Sequence, residues 1–557
     1  MPHDCGTEPT QTCVPGGAQH QKDSMSALLQ ALEDWRALVG ADSVLSAHDA
    51  GALYGAGGTR SIAAALRPAQ AESVQELVRI ALRHRVALYP VSTGRNWGYG
   101  GATPPSEHCV VLDLSRLNRV IAVDAELGTA TIEPGVTQGQ LRAHLDRLGL
   151  PFMVPTTGAG PSTSLVGNAL ERGYGITPHA DHFDAVMALQ AVLPDGSLYR
   201  SRLSALGGER IGQAYKWGTG PYLDGLFSQS NFGVVTQMTI ALAQRPPHVE
   251  AFYIFLDKED QLPAALLALR GLLRTTGGVM GGVNILNGYR VASMTCPYPA
   301  HALESGNPLQ ADDMAELLRA HKLGPYLIVG SVYGEKSVAR AAVKVIMRGF
   351  AHCSGRRVSL TRRKAEVLQR LAIRFPRIAA GFGFGQDHAA RMLSALNLME
   401  GIPDDVALRL PYWKSGAPLP DDLTRGLLSG DRGLMWYSPL VPMAPDVVLA
   451  FEAMVTRVCL QHGFEPLITL TSLSDRCFDS SVPLLFDGRS SADKERAQRC
   501  YEALFEEGRQ LGIVPYRVGS QAFHLLDTPD DSALALGRSL KRQLDPHNIL
   551  SPGRYNL

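Results

Sequence analysis

Three glycine-rich segments crowd the first half of the chain: STGRNWGYGG at 92–101, PTTGAGPSTSLVGNALERGYGITPHADH at 155–182 and SQSNFGVVT at 228–236. Glycine accepts positive φ and carries no Cβ, so such segments let several backbone N–H groups approach one ligand closely. A single loop of this kind is ordinarily a tight turn. Three of them, the first following the apolar run Val86–Val91 directly, point to a ligand with more than one phosphate. None is GxGxxG between a strand and a helix, and none is GxxxxGK[ST], so a Rossmann site and a P-loop are both disfavoured. A flavin dinucleotide, with its two phosphates, suits such a set of fixed amides.

Around these loops the periodicity alternates. Val74, Leu77, Val78 and Ala81 recur at helical spacing in SVQELVRIALRHR from 73, and Ser73 with Glu76 has the pattern of a capping box. Short strands are expected at Val86–Val91, 109–115 and 129–135, and a helix at Leu141–Leu148. Residues 25–245 therefore read as α+β. Residues 1–24 are polar and rich in Gly, Pro and Gln, which reads as a loose tail. Residues 246–512 have longer helical stretches, such as Gln261–Leu273 and Met314–His321, strands such as Tyr326–Val332, and no comparable glycine loops. They read as a second domain. The last part, 513–557, returns to short motifs, YRVGSQ and LDPHNILSPGRY.

Composition narrows the function classes. Lys+Arg and Asp+Glu each number 53 in 557 residues, so nothing favours nucleic acid or an anionic membrane as partner. The 8 cysteines are scattered, with no CxxC, no metal-ligand spacing and no CxxCH for a haem. They read as reduced structural thiols, and a cytoplasmic location is expected. No secretory signal and no apolar run long enough for a membrane span is evident.

Several runs closely resemble the vanillyl-alcohol oxidase / p-cresol methylhydroxylase family: YPVSTGRNWGYGGATPP, CVVLDLSRLNRVIAVDAELGTATIEPGVT, VGNALERGYGITPHADHF, YLDGLFSQSNFGVVT and LDPHNILSPGRY. They occur in the family's order, densely in the first half and sparsely in the middle. The resemblance implies an α+β fold: a two-subdomain FAD-binding domain of the p-cresol methylhydroxylase type over 25–245, completed by 513–557, with an antiparallel-sheet cap domain over 246–512. It implies FAD contacts from Ser92, Thr93, Gly94, Arg95, Asn96, Trp97 and Gly98 in the first loop. Pro155, Thr156, Gly158, Ser164, Gly167, Asn168, Gly173, Gly175 and Asp181 would follow from the second. Gly233, Val234, Val235 and Arg554 would complete the set.

The same resemblance implies chemistry. Phenol-oxidising members hold the substrate as phenolate between two tyrosines and an arginine, and a hydride leaves for flavin N5. The matching residues here are Tyr99, Tyr516 and Arg517, with Arg554 as a cation beside the flavin. Two departures matter. The family's oxidases carry an aspartate where this chain has Thr156, in Val154-Pro155-Thr156-Thr157, and threonine cannot serve as a base. Their flavin-linking histidine falls on Leu434 in GLMWYSP. FAD is then non-covalent, or tyrosyl-linked through Tyr412 or Tyr437. His462, Glu465, Thr471, Arg476 and His524 could line the same pocket or be ordinary surface and strand residues. The expectation is an FAD-dependent oxidase or dehydrogenase acting on a phenolic or other aromatic small molecule, with oxygen or an external electron acceptor, as a homodimer or larger. The alternatives are an oxidative tailoring enzyme for a larger natural product and a flavin-binding protein without turnover.

Overall fold

A computed structural model describes residues 17–55, 60–375 and 386–557. Three sheets organise it. The smallest has four strands in the order Val44–Leu45, Ile62–Leu66, Cys109–Asp113, Leu88–Val91. The last three run parallel. Helices Gly17–Val39 and Ser73–His84 cover one face, where Trp35 is fully buried and donates from Nε1 to the Leu77 carbonyl at 3.1 Å. Strand Leu88–Val91 would be an edge, and the C-terminal segment closes it: Leu88 N donates to Ile549 O at 2.7 Å and Ser551 N to Leu88 O at 2.8 Å.

The second sheet is antiparallel, in the order Val120–Asp124, Thr129–Ile132, Val234–Ala241, Val186–Val192, Leu198–Arg200. Beneath it Ile132, Leu141, Val166, Val186 and Met238 form a core. The two glycine loops at 155–182 and 228–236 lead out of these elements, so their backbones hang on buried strands.

The third sheet has eight strands, all paired antiparallel: Arg357–Leu360, His248–Leu256, Tyr326–Gly334, Asn284–Asn287, Thr469–Ser472, Cys477–Asp487, Arg432–Pro442 and Val514–Arg517. One face is apolar and packs on helices Leu262–Thr276, Lys336–Gly349, Pro445–Gln461 and Ser491–Gln510. Side chains alternate across a strand. Met435, Tyr437, Val482 and Leu484 accordingly enter that core. Leu434, Trp436, Asp479 and Ser481 point the other way, into a cavity.

Three expectations are corrected. Residues 17–24 belong to a helix, because Leu28, Leu32 and Trp35 give it a buried stripe; the rest of the expected tail, 1–16, lies outside the described residues. Ser73 opens its helix as a helical residue rather than capping it: its hydroxyl donates to Gln70 O at 2.7 Å and Glu72 precedes it in helical geometry. Residues 86–87 precede the strand Leu88–Val91, which starts at Leu88 where pairing with Val110 begins. Among the described residues Cys109, Cys296, Cys353, Cys459, Cys477 and Cys500 are free thiols. No helix is long and apolar enough to cross a membrane among the described residues.

Candidate functional site

A cavity of about 400 Å³ runs between the three glycine-rich segments and the polar side of the eight-stranded sheet. Ser92, Thr93, Gly94, Arg95, Asn96 and Trp97 line it from the first loop. Gly158, Ser164, Gly167, Asn168 and Gly173 line it from the second, Gly233, Val234 and Val235 from the third, and Arg554 from the C-terminal end. Tyr99, Tyr516, Arg517 and Leu434 face the same space.

The first loop is shaped as an anion cradle. Gly94 and Gly98 hold φ of 67° and 76°. Tyr99 N and Gly101 N donate to Asn96 O at 3.1 and 3.2 Å, whereas none of the amides of residues 92–97 finds a protein acceptor among the described residues. Unspent amides opening onto a cavity are what a dinucleotide's phosphates require. The second loop comes close: a Cβ on Gly167 would lie 3.1 Å from Ser92 Oγ. Ser164 holds that loop in place, accepting from Gly167 N at 2.9 Å and donating to Pro134 O at 2.6 Å. These residues fit FAD.

Five expected contacts lie off the cavity, each for a local reason. Gly98 turns against Trp436, whose Cδ1 would be 2.3 Å from an added Cβ. Pro155 is buried, and Thr156 donates its hydroxyl to Leu398 O at 2.7 Å. Gly175 donates to Ala180 O at 2.9 Å, and Asp181 accepts from Phe183 N and Asp184 N in its own turn. Tyr412 and Tyr437 also miss it. The Tyr412 hydroxyl donates to Leu423 O at 3.0 Å, and Tyr437 is wholly buried against Tyr501 beneath the sheet. Nor do the other polar residues reach it. Glu465 takes Tyr298 and Lys414, Thr471 donates to Asn284, Arg476 is exposed, and His524 stands outside near Glu502 at 3.4 Å. His462 ends the helix Pro445–Gln461 and is absent from the cavity wall.

At the sheet end of the cavity the guanidinium of Arg517 lies 4.2 Å from the centroid of the Tyr99 ring. It also donates to Asn96 Oδ1 and lies 3.7 Å from a carboxylate oxygen of Glu171. Arg554 pairs with the other Glu171 oxygen and donates to the Tyr89 hydroxyl at 2.9 Å; Tyr555 donates to Glu171 at 3.0 Å. Two guanidiniums thus share one carboxylate. The Tyr99 hydroxyl is 2.6 Å from Ser438 Oγ. The Tyr516 ring packs edge-on to Tyr174, centroids 5.3 Å apart.

Asp479 enters this cluster from the strand Cys477–Asp487. Burial pushes its carboxyl up to about 8, against the pull of Arg517, and its Oδ1 is unpartnered. Burial likewise raises the Tyr99 phenol to about 12 and holds Tyr516 well above the usual tyrosine range, with Asp479 adding to both. At neutral pH Asp479 is therefore mostly protonated, and the cluster keeps an excess positive charge.

Glu171 and Asp479 escaped the sequence reading. Glu171 sits in a glycine-rich run that draws attention to its backbone. Asp479 had a signal of its own: a carboxylate in the run CFDSSVPLLF, which is otherwise apolar or hydroxylic. Among the described residues no cluster of His, Cys, Asp or Glu is arranged to hold a metal ion.

A family model described as an FAD binding domain matches residues 62–202. The chain is 35% identical to the 1'-carboxy-chondrochloren decarboxylase of Chondromyces crocatus, over 89% of this chain and 91% of that protein. It is 27% identical to the 4-cresol dehydrogenase [hydroxylating] flavoprotein subunit of Pseudomonas putida, over 95% of each. The crystal structure of p-cresol methylhydroxylase with substrate bound superposes with a TM-score of 0.83 at 26% identity, covering 96% of this chain and 97% of that one. The α+β architecture, a cofactor-binding part under an antiparallel cap, is that of this structure. With amides unspent at the glycine loops and similarity along nearly the whole chain, the protein belongs to the vanillyl-alcohol oxidase / p-cresol methylhydroxylase family of FAD-linked oxidoreductases.

Proposed function

We propose that this FAD-dependent enzyme oxidises a phenolic or closely related aromatic small molecule, held as its oxyanion by Tyr99, Tyr516 and Arg517. When bound, FAD supplies a two-electron acceptor for the hydride that leaves the substrate's para side chain. One observation carries the proposal: Arg517, stacked on Tyr99 at 4.2 Å, faces a cavity beside a second tyrosine and a buried carboxyl.

The chemistry follows from charge. Deprotonating a phenol pushes electron density to the para position and makes hydride loss easy. Arg517 favours the phenolate, and the hydroxyls of Tyr99 and Tyr516 donate to it in preset positions. Glu171 offsets only one of two neighbouring guanidiniums, so a substrate anion is welcome. Asp479, poised at about 8, is the group suited to accept the phenolic proton, a role Thr156 and Thr157 cannot fill. Leu410, Pro411, Leu434 and Trp436 give the cavity an apolar wall that excludes water from the reacting carbon. In this scheme residues 25–245 and 513–557 carry FAD through the three loops and Arg554, and 246–512 roof the substrate. FAD is non-covalent, and oxygen or an external acceptor reoxidises it. A homodimer or larger assembly is the working state.

The test is anaerobic mixing of purified holoenzyme with p-alkylphenols. Loss of the oxidised flavin's visible absorption supports the proposal, and full retention with every phenol sinks it. A second reading, oxidative tailoring of a larger natural product, draws on the Chondromyces relative, whose name is that of a decarboxylase acting on such a compound. Bleaching by a carboxylated natural-product phenol but by no simple alkylphenol would favour it.

A further inference from the structure

We propose that the substrate carries a carboxylate at the end remote from its phenolic oxygen, and that Arg290 receives it. The inference deepens the reading of this cavity as a substrate site and rests on it.

Arg290 stands in the helix Gly288–Thr295, which Asn287 caps by accepting Arg290 N at 3.0 Å. Its side chain lines the same cavity as Leu408 and Leu410. Its only side-chain partners among the described residues are neutral hydroxyls: Nε donates to Thr469 at 3.3 Å and Nη1 to Ser293 at 3.2 Å. Among the described residues no carboxylate pairs with it. The two acids that do line the cavity are engaged at the other end, Glu171 with Arg554 and Arg517, Asp479 beside Arg517. Desolvation alone lowers its pKa, to about 10, which still leaves it charged.

A buried guanidinium held only by neutral hydroxyls is costly, and a ligand anion removes the cost. The planar fork suits a carboxylate, and Nη2, with no hydrogen-bond partner among the described residues, can complete a two-point contact. Position sets the substrate's shape. Thr469, which Arg290 touches, is paired with Ser481, and Ser481 shares its strand face with Asp479 two residues away. Two residues on a strand span about 7 Å. The wall therefore runs from Arg517 through Asp479 and Ser481 to Arg290. A ring with its oxygen at Arg517 and a para side chain ending in a carboxylate fits that run.

Holoenzyme is titrated with p-hydroxyphenylacetate, p-hydroxyphenylpropanoate, the uncharged p-ethylphenol and p-propylphenol, and phenylpropanoate, and the change in flavin absorption gives each dissociation constant. The parent enzyme should bind at least one hydroxyphenyl acid about tenfold or more tightly than the alkylphenol of matched length. Arg290→Met should abolish that preference, and Arg290→Lys should restore part of it. Flavin content and thermal midpoint check folding, and Arg290→Gln replaces Met if that variant unfolds. An unchanged preference in folded Met or Gln variants, or no preference for any acid in the parent enzyme, overturns the proposal. Phenylpropanoate separates the two readings. If it binds through Arg290 while no phenol binds better than its non-phenolic counterpart, the phenol reading falls and the carboxylate seat stands. If alkylphenols bind and reduce the flavin while acids gain nothing, the reverse holds.

Discussion

The guanidinium of Arg517 sits 4.2 Å above the ring of Tyr99 while donating to Asn96, a residue 421 positions earlier in the chain. One end of the molecule thus clamps the other across the cavity. The flavin loop is tied to the last strand of the large sheet, where Arg517 pairs with Ser438 and Ser438 meets the Tyr99 hydroxyl at 2.6 Å. In the proposed site, cofactor and substrate oxygen would depend on one shared piece of backbone.

Removing this cation should slow substrate oxidation. Arg517→Ala is expected to reduce the rate of flavin bleaching by p-alkylphenols on the order of a hundredfold to a thousandfold, the usual loss for one preorganised anion-stabilising donor. Lysine should recover little, since it cannot stack on Tyr99 and bond Asn96 together. Rapid-mixing absorbance under anaerobic conditions measures it; a change below a few-fold removes Arg517 from the site.

Asp479 makes the enzyme pH-dependent in a set direction. Its native carboxyl titrates at about 8 and its unfolded one at about 3.9. Between these values the native state holds a proton the unfolded chain has lost. This contribution to stability is therefore full below about pH 4 and declines as pH rises to about 8. Asp479→Asn should flatten that decline, so the variant gains thermal midpoint relative to the parent across the window. In the proposed role of taking the phenolic proton, Asp479 must be ionised, so the bleaching rate should rise with pH through about 8. The asparagine variant should lose that limb.

The flavin should be released by acid precipitation of the protein and appear in the supernatant. Leu434 faces the cavity where relatives of the oxidase type are expected to carry a linking histidine, and the Tyr412 and Tyr437 hydroxyls are held outside it. Yellow pellet and colourless supernatant would refute this.

Gly98 should tolerate no side chain. It combines φ of 76° with 2.3 Å between a notional Cβ and Trp436 Cδ1. Gly98→Ala is expected to cost about 1–3 kcal/mol. The loss should appear as a lower melting temperature together with reduced flavin content per chain, because the loop it distorts is the phosphate cradle.

The glycine loops and the strand before the first of them were legible in the sequence, because each rests on local backbone; Tyr516 and Arg517 came only with the family resemblance, and the strand's parallel pairing came from the structure. The family followed from the same runs. What sequence could not order was the set of long-range partners. Glu171 became the counter-ion of Arg517 and Arg554 only when the C-terminal segment closed the Leu88–Val91 edge. Asp479 acquired its raised pKa only from burial beside Tyr516 and Tyr99. Tyr437 and Leu434 lie three positions apart, and strand alternation sends one to the helix-packed core and the other to the cavity. Local chemistry set which backbone opens free amides onto the cavity. Strand register and burial, which act between residues hundreds of positions apart, decided which side chains line the cavity.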